Sequence, residues 1–381
     1  MSWLGPGQQL TLQSDPAFPL TCHWMETLAL PDLRRLWAAL PGGAISTPFQ
    51  TPEFLHAFRK TQCEPGQSDM AVVSFCDPAR PDTPLMILPL ARYRRGPIRV
   101  AEVPDFGVSD QNAPVVSPEV LARPGMLEKA LQSVFAALQE VDLVDIRKLH
   151  KHVGNAANPL FAIEAGQPES STLCLDLQGN SGSAGWGRKS IYKKTRSKYR
   201  RLAEAGVTLV VARSPADRLA VFESLAAQRA ERFEQLGRED SLKRKDRTAF
   251  YKCLAAQETE DSPLTALSLK RGNETVAAMM LLAFGAEATA VLVSIGDPKW
   301  HGYSPGMVLF AKAIEWAAAN GCRRFSFGTG QQEYKQRFGG EEERTRRLLL
   351  PLNGRGHLFV RARDAHRTAR ELLQIAVGRN G

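Results

Sequence analysis

The chain has 381 residues, of which 43% are hydrophobic and 23% charged, and it carries a net charge of +9. Such a length suits two domains, and the composition excludes a disordered or fibrous chain. The basic balance favours anionic partners without choosing among them. The six cysteines form no C-x-x-C pair, which removes a zinc ribbon and fits a reducing compartment.

The opening stretch MSWLGPGQQLTLQ has neither a charged nor an apolar leader region, so no signal peptide is expected and the protein is expected in the cytoplasm. In the first half, MAVVSFC (70–76) and PLMILPLARY (84–93) predict strands joined by a Pro-rich turn, and IRVAEV (98–103) predicts a third. A helix is expected over Met126–Gln139 and a strand over VDLVDIRKL (141–149). His150 and His152 follow at strand spacing, but no acidic or Cys partner lies near them in sequence, and no metal site is expected. The small-residue run NAANPLFAIEAGQPESS (155–171) reads as a seam.

The second half is clearer. SIYKKTRSKYRRLAEAG predicts a helix ending at Gly206, with Ile191, Thr195, Tyr199 and Leu202 on one face. VTLVVAR predicts a strand, DRLAVFESLAAQRAERFEQLG a long amphipathic helix, REDSLKRKD a charged loop and RTAFYKCLAAQE a helix. Three strands in sequence are then expected: LTALSLK, TVAAMMLLAF and TAVLVSI. The apolar stretch Val276–Val293 is broken by Gly285, Ala286 and Glu287, so a buried hairpin is expected there and not a membrane span. CRRFSFGTG predicts a strand with Phe325 and Phe327 on one face, RTRRLLLPLNGRGHLFVRAR a hairpin, and DAHRTARELLQIAVG a final helix. Strands, then helix, then strand thus occurs twice, which predicts an α+β protein of two tandem modules, 1–165 and 170–381. Each would have a mostly antiparallel twisted sheet flanked by helices.

The loop-to-helix step HGYSPGMVLFAKAIEW carries the chemical signal. Ser304 is expected to cap the helix through its hydroxyl, with Pro305 at the first helical position. Gly306 costs such a helix roughly 1 kcal/mol relative to Ala, so close approach of another group to its backbone is expected. Strand, loop and glycine-containing helix start is how backbone N–H groups are offered to a phosphate. The stretch GYSPGMVLFAKAIEWAAANGCRRFSFGTGQQEYKQRFGG resembles the CelD-like subfamily of GNAT N-acyltransferases, although the usual GNAT loop Q/R-x-x-G-x-G/A is missing. RSKYRRLAEAG and Arg232–Phe233 extend the resemblance upstream. The FemABX aminoacyltransferases are similar in having two tandem modules.

The resemblance implies direct transfer from acetyl-CoA or another acyl-CoA, without a metal, to an amino sugar of bacterial surface polysaccharide or holdfast, with the first module degenerate. The CoA pyrophosphate would lie at Tyr303, Ser304, Pro305, Gly306 and Met307. Tyr334 would protonate the leaving thiolate, and Lys335 would steady the oxyanion or a substrate phosphate. Glu333 would be a base, or else a surface carboxylate. Arg196, Arg200 and Arg232 would hold a nucleotide- or lipid-linked sugar, the latter at the inner-membrane surface; DNA is not expected. Two alternatives stay open: FemABX-like transfer from aminoacyl-tRNA, and an inactive module sensing a nucleotide. The Arg-rich tail, Arg344, Arg346, Arg347, Arg355, Arg361 and Arg363, is the expected place for cyclic di-GMP.

Overall fold

A computed structural model describes residues 10–12, 20–26, 29–154, 156–178, 186–258, 262–330 and 333–378. Most of the opening stretch MSWLGPGQQLTLQ lies outside these residues. A short edge strand, β1 (Leu10–Leu12), precedes the first of two runs that share one element order. That run is β2 (Leu20–Met25), α1 (Leu30–Ala38), α2 (Pro52–Gln62), β3 (Ser68–Cys76), β4 (Pro84–Arg95) and β5 (Ile98–Glu102). It continues through β6 (Val115–Val116), α3 (Pro118–Leu121) and α4 (Pro124–Ala137) to β7 (Leu143–Leu149). A small ladder, β8 (His152–Val153) with β9 (Ala156–Ala157), the turn α5 (Pro159–Ala162), β10 (Gly166–Asp176) and α6 (Ser190–Glu204) follow. The second run is β11 (Thr208–Ala212), α7 (Pro215–Gln235), α8 (Lys245–Ala255), β12 (Leu264–Arg271), β13 (Glu274–Phe284), β14 (Glu287–Ile295), α9 (Pro305–Ala319) and β15 (Arg324–Thr329). The chain closes with α10 (Glu333–Arg337), β16 (Glu341–Pro351) and α11 (Gly354–Gly378).

In both runs the strands pair antiparallel until a helix crosses over and returns the next strand parallel. The parallel pairs are Val100↔Leu143 and Ala101↔Val144 in the first, and Glu287↔Arg324, Ala288↔Phe325 and Thr289↔Ser326 in the second. The expected α+β class is therefore what the chain adopts, but as one continuous fourteen-stranded sheet. Its order is β1-β2-β3-β4-β5-β7-β16-β10-β15-β14-β13-β12-β11, with β6 beside β4.

The centre of that sheet is made by exchange. β10, which follows the first run, pairs with β15 of the second (Leu175↔Phe325). β16, which follows the second run, pairs with β7 of the first (Leu349↔Asp145), and β10 and β16 pair with each other. The stretch expected as a seam contains α5 and the start of β10. Leu348 of β16 is buried in the core of the first run, among Leu131, Val134, Phe135 and Ile146.

Three cores cover the sheet faces. α4 closes one face of the first run, and α6 and α9 close one face of the second. The third core joins the runs: Phe49, Phe54 and Phe58 meet Phe222, Phe250 and Tyr251, with α2 lying on α8. Phe54 and Phe250 meet edge-on with centroids 5.1 Å apart, a geometry that adds about 0.5–1.5 kcal/mol to the burial of the two rings. The helices and strands over 10–62 have no counterpart in the sequence reading.

The apolar stretch 276–293 is the expected hairpin of β13 and β14, and no helix among the described residues is long and apolar enough to cross a membrane. The second hairpin, expected over 344–363, is not formed. β16 is a single strand, and the chain after it turns helical because Asn353 caps α11, its side-chain oxygen accepting the N–H groups of Arg355 and Gly356 at 3.1 and 3.2 Å.

Candidate active site

Strands β14 and β15 pair over only three residues and then part. β14 runs six residues beyond Thr289, with a bulge between its pairings at Ala290 and Leu292 that bends it away. β15 turns off at Gly328, whose φ is +69°. A Cβ there would stand 2.5 Å from the carbonyl oxygen of Ala290, so only glycine fits. Along the part of β14 beyond the split lies a cavity of about 380 Å³. Val293, Ser294 and Ile295 of β14, Gly306, Met307 and Phe310 of α9, Tyr334 of α10, and Gln228, Arg229, Arg232 and Phe233 of α7 line it.

The start of α9 forms one end of this cavity. The helix is apolar on nearly every side because it is buried, and it stops in a Schellman motif. The N–H of Cys322 reaches the carbonyl of Ala317 and that of Gly321 reaches Ala318, with Gly321 at φ +81°. At the other end Pro305 holds the first helical position as expected. The group that approaches Gly306 belongs to the protein: a Cβ there would lie 2.8 Å from Cδ1 of Ile295.

Ser304 departs from expectation. It is left-handed (φ +50°) and its hydroxyl caps nothing. Its carbonyl accepts the N–H groups of Met307 and Val308, and its Oγ accepts from Lys198 Nζ at 2.5 Å. Among the described residues the N–H of Gly306 has no acceptor. Arg201 lies over the ring of Tyr303 at 5.2 Å, and that ring leans on Trp300, whose indole N–H donates to Glu274. Two cations from α6 therefore stand at the positive end of a helix dipole.

Of the expected site residues, the fold gathers Gly306, Met307, Tyr334 and Arg232 around the cavity. Tyr334 is half-buried, its ring centroid 5.4 Å from that of Phe310, and burial raises its pKa. Arg232 is exposed, whereas its neighbour Arg229 is committed to Asp240 and to the carbonyl of Val293. Lys335 is not where its expected role needs it. On the short helix α10 it points about 100° away from Tyr334 and is 3% exposed. It donates to the carbonyls of Gly330 at 2.9 Å and Gly328 at 3.4 Å, and burial lowers its pKa to about 8. Glu333 is a surface carboxylate, paired with Arg337 one turn on at 2.6 Å.

Arg196 and Arg200 are exposed and do not line the cavity. Lys198 and Arg201 take the place by the loop. The signal for them was helical phase: they flank the buried stripe Thr195–Leu202 on the side that meets Tyr303 and Ser304, and Arg196 and Arg200 flank it on the other. In the tail, Arg347 grips Asp145 with two hydrogen bonds, and Arg346 donates to the carbonyls of Phe161 and Gly166, so these two are spent inside the fold. His150, read as lacking a partner in sequence, lies beside Cys174 and Glu343 in space.

Residues 189–336, less than half of the chain, match the model of the acetyltransferase (GNAT) domain family. No curated protein sequence matches. Among solved structures, FemX is similar over 86% of this chain and 97% of its own, at 10% identity and a TM-score of 0.58. L-PGS from Bacillus licheniformis is similar over 86% and 94%, at 13% identity and a TM-score of 0.51. A conserved protein of unknown function from Bacteroides thetaiotaomicron is similar over 85% and 99%, at 10% identity and a TM-score of 0.50. Residues 189–336 are thus similar to the acetyltransferase (GNAT) domain family, within a chain whose fold is similar to that of FemX along most of its length.

Proposed function

We propose that the chain is an acyl-CoA-dependent N-acyltransferase whose donor lies in the wedge between β14 and β15. The observation that carries this is electrostatic. Lys198 and Arg201 bring positive charge to Ser304 and Tyr303, just before the start of α9, whose Gly306 and Met307 line an apolar slot. Like charges so placed are relieved by an anion, and a pyrophosphate on an apolar arm fits both parts. The thioester then lies near Tyr334. An amine attacks the carbonyl carbon, the C–S bond breaks, and the thiolate takes the Tyr334 proton, which a raised pKa keeps in place until then. The amine's surplus proton leaves to water at the open mouth, since Glu333 stands outside the cavity. Lys335 holds the turn at Gly328–Gly330 and takes no part in the chemistry.

The acceptor we favour is an amino sugar carried on a nucleotide or lipid phosphate in bacterial surface-polysaccharide synthesis, with Arg232 as its anchor. The support is the CelD-like motif together with an exposed guanidinium on the cavity wall. The likeness to FemX along both chains favours a second reading, transfer of an aminoacyl group from aminoacyl-tRNA. Calorimetry with CoA separates the two: binding by the wild type, weakened in Lys198→Ala, is expected. A wild-type protein that ignores CoA but accepts aminoacyl-tRNA would move the assignment to the second.

A further inference from the structure

The strand exchange brings together three metal-ligating side chains that are far apart in sequence. His150 follows β7, Cys174 lies in β10 and Glu343 in β16. In the β10–β16 ladder Thr172 stands opposite Glu343 and Cys174 opposite Glu341, so Cys174 and Glu343 are diagonal neighbours on one face. The ligand atoms of all three lie within 4.8 Å of one another, with His150 Nδ1 3.0 Å from Glu343 Oε2. His150 is 2% exposed and its Nε2 is buried with no hydrogen-bond partner. The nitrogen that faces Glu343 is Nδ1, so Nδ1 is the one offered to a metal beside Glu343 and Cys174. Cys174 and Glu343 also line a cavity of about 350 Å³, separate in its residues from the acyl-transfer wedge. In a chain of net charge +9, this cavity gathers four carboxylates, Asp176, Glu341, Glu342 and Glu343, against Arg323 and Arg324.

We propose that His150, Cys174 and Glu343 bind one zinc-class divalent cation that clamps the exchanged strands. An imidazole, a thiolate and a carboxylate form a borderline-to-soft donor set, which selects zinc or cobalt over magnesium or calcium. Three protein ligands leave a fourth position toward the cavity. Binding costs the thiol its proton, which passes to water. Arg324, which pairs with Glu343, competes with the metal for that carboxylate.

The test uses tag-free, full-length protein stripped with a chelator, titrated with zinc against a chromophoric competitor, and separately with cobalt. One zinc per chain is expected, with a higher melting temperature, and cobalt should show the near-ultraviolet charge-transfer band of a thiolate bond. Cys174→Ser should lose that band and weaken zinc at least about tenfold, the cost of even an outer-shell change. Arg324→Gln should bind zinc no more weakly than wild type. A wild type that takes up no zinc, or that binds cobalt without a thiolate band, overturns the proposal without need of any variant. So does a folded Cys174→Ser protein that binds zinc as tightly as wild type.

Discussion

The two runs of the chain build the same opening and furnish it differently. In the first run β5 ends at Glu102, one residue past its last parallel pair, and the space beyond is a cavity of about 600 Å³ lined with charge. Lys148 pairs with Asp105 at 2.9 Å, Arg95 pairs with Asp145 at 2.7 Å, and Tyr93 donates to Glu102. In the second run β14 overhangs by six residues, and the space is lined mostly by apolar side chains, Phe233, Val293, Ile295, Met307 and Phe310, with Arg229 and Arg232 on the α7 side. Topology makes a wedge in both. Whether the wedge accepts an apolar arm or satisfies itself is decided by a few side chains, because buried charges must be paired and apolar walls need not be.

The comparison can be broken first at Tyr334. If only the second wedge does chemistry, Tyr334→Phe should lower the maximal rate roughly 10²–10⁴-fold and leave CoA affinity in place, as steady-state kinetics and calorimetry would show. A folded variant with full turnover would remove the tyrosine from the mechanism.

Gly328→Ala tests whether the wedge depends on close passage of β15 past Ala290. The left-handed backbone should cost about 1–2 kcal/mol and the contact with the Ala290 carbonyl about 1–3 kcal/mol more. Denaturant melts measure the sum, and an unchanged midpoint would refute the geometry. Next in size, Lys198→Ala should weaken CoA binding roughly 10–100-fold, the range for one charge-assisted hydrogen bond. The loss should shrink as salt rises.

The smallest effect belongs to the first wedge. Burial raises the pKa of Glu102 from 4.5 to about 8, with Asp105 adding to the shift. The folded state thus holds a proton that the unfolded state gives up, so this part of the stability is present below pH 4.5 and is lost as the pH rises toward 8. Glu102→Gln should flatten the pH dependence of melting across that window and leave turnover unaltered. A change in turnover would mean that the first wedge takes part after all.

What the sequence made legible follows from locality. The helix and strand periods over 190–330 and the punctuation at Gly206, Gly237 and Gly321 are local signals, and the structure follows them. Asn353 was readable too, as a helix cap, but the glycines beside it resemble a hairpin turn. The roles of Lys335, Arg346 and Arg347 were not readable, because their partners are backbone carbonyls and a carboxylate supplied by distant segments. Glu333 and Tyr334 are neighbours in sequence, yet helix phase sends one outward and the other to the cavity. Ser304 misled for a subtler reason: the residue type suits a cap, but its hydroxyl is taken by a lysine more than a hundred residues away.

The exchange of β10 and β16 has a consequence in time. As the chain is made, β7 is complete at Leu149, but the strand that pairs with its inner edge is not finished until Pro351. At about 5–20 residues per second, the first half waits roughly 10–40 s with that edge open. An open edge invites the wrong strand. The ion pairs of Asp145 wait for Arg347 as well, and until then Arg95 is the carboxylate's partner from the first half. The nascent protein is thus most vulnerable to aggregation and to folding helpers during one interval, which ends once β16 has left the ribosome.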